Sequence, residues 1–325
     1  LRLRLSLLGA KETGPRGSLL PQEVVRSLPP LDTLQTNDDL YYLVRVVSVR
    51  IDPCFPGLGV KEERDCKNQI RLVMQPVVLE VRGAGLTTMD LALHLFYTLG
   101  RDELAGFLQE LTDLRASSGI ERADGPVGVH RALAKEGIEG PFAKAFRTLL
   151  LDHAGKDNLT RVTFMGVEQV GQIWRFGGFD LDGGKAAAMS IPLVNVNEQI
   201  FQNRDLDGLT FTAAGTSPPS PSEDDIRLLF DPVALASATD DQRRAAHRHA
   251  LRIENPKTSS PETIDCATCH VAMAARRFVE RTYGLSADGV PDRYLHPGGM
   301  PLDGATVART NELRAFGYLD TRPSI

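Results

Sequence analysis

The segment Cys266-Ala267-Thr268-Cys269-His270 constrains this chain more than any other, because it fixes two thiols and an imidazole within five residues. It reads CxxCH, the attachment signature of a c-type haem. In that chemistry each thiol adds to one vinyl group of the porphyrin to form a thioether. The adjacent imidazole of His270 then takes the proximal position on the iron. Two residues between the thiols match one turn of backbone curled against the porphyrin edge. Chance would produce such a pentapeptide on the order of once in a thousand chains of this kind.

Two other chemistries use the same residues. A CxxC pair can be a redox or structural disulfide, and CxxC with a histidine can be half of a zinc site. Zinc takes four ligands, commonly from a second cysteine pair. The remaining cysteines, Cys54 and Cys66, are too widely spaced to form one. A thioredoxin-like CxxC opens a helix directly after a strand. Here residues 254–263 are polar and contain two prolines, so they read as a loop. A single covalent haem c is the expectation, because the motif occurs once.

Composition narrows the class of protein. The net charge of −5 argues against nucleic acid as a main partner. Apolar residues make up 42%, enough for a sizeable core. No apolar run approaches ~18 residues, so no transmembrane helix is expected. No signal peptide is visible, and a start at Leu1 rather than Met reads as a processed product. The length of 325 residues suggests two domains.

Along the chain, Leu1 to Leu7 alternates apolar and polar residues like a half-buried strand, which in an assembly protein would serve as a pairing edge. Residues 9–37 are rich in Gly, Pro and Ser and read as a surface connection. Leu40 to Ile51 and Gln69 to Val81 read as strands, the second bent or bulged at Pro76. Thr87 with Asp90 resembles a capping box, which predicts a helix through about Leu99. Leu104, Phe107, Leu108, Leu111 and Leu114 recur at helical spacing, as do Phe142, Phe146, Leu149 and Leu150. His94, His130 and His153 read as ordinary, partly buried histidines, and become ligand candidates only if the chain is one integrated domain whose N-terminal residues wall the haem. Strands are expected again at 160–165 and 172–176, with sole tryptophan Trp174 in the core. Asp180 to Gly184 lacks the ligands of an EF-hand and reads as a hairpin turn, and Asp205 to Gly208 likewise.

Residues 212–222 contain three prolines among Gly, Ser and Thr and are the expected domain boundary. The fold class read from these elements is α+β. Residues 1–220 form a mixed strand and helix domain, and residues 221–325 a smaller, mainly helical haem-binding domain. In the second, Thr239-Asp-Asp-Gln242 is a capping box opening a helix to about Ile253. Its His247 and His249, among Arg243, Arg244 and Arg248, read as a solvated basic face, or else as contacts to haem. Val271 to Tyr283 reads as a helix closing at Gly284. Arg276, Arg277 and Arg281 are candidates for the haem propionates, because a guanidinium fork suits a carboxylate.

From Cys266 onward, about the final quarter of the chain resembles a class I cytochrome c. In that family a helix follows CxxCH, a loop brings a Met-Pro pair to the other haem face, and a terminal helix closes the module. Tyr294-Leu-His-Pro-Gly-Gly-Met300-Pro301 matches the loop, and Asn311 to Leu319 the last helix. The resemblance implies Met300 as distal ligand, with His296 in the same loop as the alternative, or an open site. Met273 is excluded, since it shares the helical face of His270. The resemblance also implies assembly outside the cytoplasmic membrane, in the periplasm or beyond the cell. Such a compartment permits disulfides, and Cys54 and Cys66, the remaining cysteines, read as one, with two buried free thiols as the alternative.

One-electron transfer with a redox partner protein is the leading functional expectation. The alternatives are a haem enzyme or sensor with an open distal site, and a surface or assembly protein, in a homo-oligomer or larger assembly, in which haem is a staple or relay. Residues 1–220 carry no motif that names a substrate.

Overall fold

The computed structural model describes residues 8–26, 41–55, 67–79, 86–88, 91–119, 131–168, 173–183, 185–202, 226–254 and 259–286. The protein is α+β, as the sequence predicts. Two short strands, β1 (Thr13–Gly14) and β2 (Gly17–Ser18), precede helix α1 (Gln22–Arg26). The main sheet is built from β3 (Val44–Phe55), β4 (Lys67–Leu79), β6 (Leu91–Leu99), β7 (Leu159–Glu168), β8 (Ile173–Asp182) and β10 (Glu198–Gln202). They lie in the order β10-β8-β7-β6-β4-β3, all neighbours antiparallel. Two short strands attach to it: β5 (Leu86–Thr88) pairs with β4, and β9 (Lys185–Ala188) with β8. Helices α2 (Arg101–Ser117), α3 (Arg131–Glu136) and α4 (Pro141–His153) separate β6 from β7. After β10 come a 3-10 turn at Arg227–Phe230 and helices α5 (Pro232–Ser237), α6 (Asp240–Glu254) and α7 (Cys266–Tyr283).

The helix expected from Thr87 to Leu99 is instead a strand. Leu91 to Leu99 lies at the centre of the sheet, with all but one of its residues buried. A strand buried on both faces shows no alternation and reads like a buried helix segment. The expected bulge at Pro76 is also displaced. Pro76 pairs regularly with Val44, and the register shifts lie on the partner strand between Val46 and Ser48 and between Asp52 and Phe55. The hairpin turn after Asp180 is present: Asp182 pairs with Lys185, and Gly183 takes a φ of 54°, which glycine adopts without strain.

The two faces of the sheet bury different chemistry. On one face Leu72, Met74, Leu93, Leu95, Tyr97, Val162 and Phe164 meet α2 and α4 through Leu104, Phe107, Leu149 and Leu150. The expected surface connection at 9–37 proves partly internal. Leu8, Leu19, Leu20, Val24 and Val25 are buried in this same core. The Tyr97 and Tyr41 hydroxyls donate to the carbonyls of Leu19 and Leu20, at 2.8 and 2.6 Å, and hold the segment there. The other face carries Val73, Ala92, Met165 and Phe176 and packs against α5, α6 and α7. Residues on both sides of the expected 212–222 boundary therefore share a core, while the boundary itself lies outside the described residues, as do Leu1 to Leu7 and Asp205 to Gly208. No described helix is long and apolar enough to cross a membrane.

Candidate functional site

The CxxCH segment forms the first turns of α7, so the helix begins five residues before the Val271 start that apolar spacing predicts. Asp265 is the reason. Its side chain caps the helix, accepting from the Thr268 amide at 3.0 Å. Gln199 of edge strand β10 completes the lock. Its Nε2 donates to Asp265 Oδ1 at 2.7 Å, and its Oε1 accepts from the Ala267 amide at 3.0 Å. Both side chains are buried, and burial pushes the Asp265 carboxyl above the usual range against these hydrogen bonds. The loop before the motif is tied down by Glu262, which pairs with Lys67 of β4 at 2.6 Å and Arg161 of β7 at 3.1 Å.

Positions i, i+3 and i+4 fall within roughly 100° of arc on a helix. Cys266, Cys269 and His270 accordingly share one face of α7. The His270 ring centre lies 4.9 Å from that of Phe176 on β8 and 6.1 Å from that of His94 on β6. The sheet face beneath is unusually polar for a core. Strand pairing sets Arg50 opposite Arg71, Asp52 opposite Gln69, and His94 between Val73 and Thr163. Arg50 donates to Asp52, and the Arg71 guanidinium sits 5.4 Å from the Phe96 ring centre. Burial holds the His94 imidazole well below its ordinary pKa, and the nearby Arg71, His270 and Arg50 push it the same way. His94 is therefore neutral at neutral pH.

Both motif cysteines are free thiols. Burial raises both, that of Cys269 to about 11, while Arg71 and Arg50 pull the latter partly back. A reactive or metal-binding cysteine needs the opposite, a thiolate at neutral pH. Among the described residues no group of three or more His, Cys, Asp or Glu is arranged to hold a metal ion. The arrangement offers two protonated thiols in register on one helical face, with a neighbouring imidazole packed on aromatic rings.

The remaining sequence candidates fall as follows. Arg276 is buried, and its fork is engaged by carboxylates of the chain: Glu254 at 2.5 and 3.1 Å, and Glu280 at 2.8 Å. His247 is not solvated as its basic neighbours suggest. It is buried and lies 2.9 Å from Glu280, so α6 and α7 share one polar network. Its neighbours Arg244 and Arg248 are exposed as expected. His153 packs against Phe107 in the opposite core, remote from the motif. The side chains of Cys54, Trp174, Met273 and Arg277 lie outside the described residues, as do Cys66, His130, His296, Met300 and the segment Asn311 to Leu319. Sequence reasoning missed Gln199 and Arg71, and made His94 a ligand candidate only for a chain folded as one integrated domain. The available signal was polar residues set inside otherwise apolar strands, Gln69 and Arg71 in β4 and His94 in β6.

No family model, no curated protein and no solved structure matches this chain.

Proposed function

We propose that the protein is an extracytoplasmic monohaem c-type cytochrome that transfers single electrons to and from a redox partner protein. Cys266 and Cys269 hold the haem through thioethers, and His270 is the proximal iron ligand. The observation that carries this reading is the common face of α7 on which two free, protonated thiols and the imidazole stand together. Those residues fit a thioether-linked haem better than the rival chemistries. A redox CxxC or a zinc knuckle requires thiolates, and burial disfavours both. A thioether carries no charge, so its burial costs little. When bound, haem supplies a one-electron iron couple whose potential the axial ligands tune. The chain's own contribution is positional. Asp265 and Gln199 fix the start of α7, Phe176 restrains the His270 ring, and the packed sheet face limits access of water. Arg71 and Arg50, the cations felt by Cys269, join Arg277 as candidates for the propionates, while Arg276 is held by Glu254 and Glu280.

Intact mass after denaturation tests the central claim. Protein matured in a host competent for haem attachment is expected to exceed the polypeptide by one haem, with a matching pyridine-haem spectrum. A polypeptide-only mass from that host overturns the reading.

The compartment makes a separate prediction about Cys54 and Cys66. In an oxidising compartment a disulfide is expected between Cys54, at the end of β3, and Cys66, just before β4, worth roughly 3 kcal/mol in the chain-entropy model. Peptide mapping without reduction should recover the crosslinked pair. Two alkylated thiols in unreduced protein would count against it.

A further inference from the structure

We infer that His94, on the central strand β6, is the second axial ligand of the haem iron, opposite His270. This rests on the haem reading above and replaces a loop ligand with one borne by the sheet. Two imidazoles on opposite faces of one iron hold their ring centres roughly 6 Å apart, from metal–nitrogen bonds of about 2 Å and about 1 Å more to each ring centre. The His94 and His270 ring centres are 6.1 Å apart. Their planes are inclined at 55°. Axial imidazoles accept such an angle, because each ring can turn about its own metal–nitrogen bond. Neither ring is placed by a flexible segment. His94 lies in a strand paired on both sides, between Val73 and Thr163. His270 is fixed by the capped start of α7 and by Phe176 at 4.9 Å.

The location adds an argument. Leu91-Ala-Leu-His-Leu-Phe-Tyr-Thr-Leu99 is the most apolar strand of the sheet, and His94 is its only ionisable residue other than Tyr97. It is buried on the face that α7 covers. Histidine on both faces lowers the potential relative to His/Met ligation, so the protein would sit on the reducing side of a His/Met cytochrome. A plain aromatic pair can also adopt this spacing, and ligation spectra separate the two cases.

The test uses the full-length holoprotein, with covalent haem verified by intact mass. Ferric wild type is expected to be low spin and to lack the near-infrared sulfur-to-iron band. Ferric His94→Ala should keep the haem mass and become high spin, added imidazole should restore the low-spin spectrum, and the reduced variant should bind carbon monoxide. Met300→Ala and His296→Ala should leave the spectrum unchanged. The inference is overturned if folded His94→Ala stays low spin, or if wild type shows a sulfur band that Met300→Ala removes. If His94→Ala does not fold, the loop variants decide. Retained low spin in both His296→Ala and Met300→Ala supports His94, and loss of low spin in either refutes it. Wild type without covalent haem fells the haem reading and this inference together. Covalent haem with ligation indifferent to His94 fells this inference alone.

Discussion

Arg276→Leu is expected to destabilise the protein by about 3–5 kcal/mol at neutral pH, because it strands a buried carboxylate. Arg276 sits between α6 and α7. It grips both oxygens of Glu254 and both oxygens of Glu280, and Glu280 in turn meets His247. Glu254 is buried, and burial lifts its pKa even with the guanidinium beside it. Without Arg276 the carboxylate must be protonated or hydrated. A carboxyl raised further in the folded state favours folding at low pH and loses that contribution as pH rises through its folded pKa. The variant's deficit should therefore shrink as pH falls from neutral towards about 5. Glu280 has the opposite sign in the wild type. Burial raises it, but the bonds from His247 and Arg276 win and hold it low. Its contribution is present above the ordinary carboxylate range and is lost as pH falls through its folded pKa. Urea unfolding of both proteins across that range checks the pattern. Arg276→Leu combined with Glu254→Leu should recover much of the loss. A deficit below about 1 kcal/mol, independent of pH, would show that the network does not hold the two helices together.

Phe176→Ala is expected to cost about 3–5 kcal/mol and to disturb the motif directly. Phe176 is fully buried, with Met165 across the strand pair and Gln199 on its other side. It forms the floor under the His270 ring. The neighbouring glycine on the same face leaves little room for collapse: a Cβ at Gly178 would strike the Met189 sulfur and the Val162 carbonyl. The cavity should therefore persist, which puts the cost near the upper end for such truncations. Phe176→Leu should cost appreciably less. Stability is read from urea unfolding, and the His270 environment from imidazole NMR signals. A loss below about 1 kcal/mol, with unshifted His270 signals, would mean that α7 does not bear on this ring.

Local signals determined much of the fold from the sequence alone. The apolar spacing of Leu104 to Leu114 and of Phe142 to Leu150 marks two helices, because one face of each must be buried on a 3.6-residue period. The capping box at Thr239 to Gln242 is present, with the Gln242 side chain accepting from the Thr239 amide at 2.8 Å. Gly284 ends α7 with a φ of 66°, as a C-terminal glycine should. CxxCH itself is legible because its chemistry depends on spacing within one helical turn.

Tertiary structure decided what depends on partners far along the chain. Leu91 to Leu99 carries no period, so only pairing with β4 and β7 makes it a central strand. Arg276 reads as a ligand for propionates until Glu254 and Glu280 are seen to close on it. His247 reads as solvated until α7 covers it. His94 and His270 are far apart in sequence, and strand register together with the docking of α7 brings their rings within 6.1 Å. Periodicity and capping are set by a residue's near neighbours, whereas a site between a sheet and a helix is set by which faces remain to be buried once the sheet has formed.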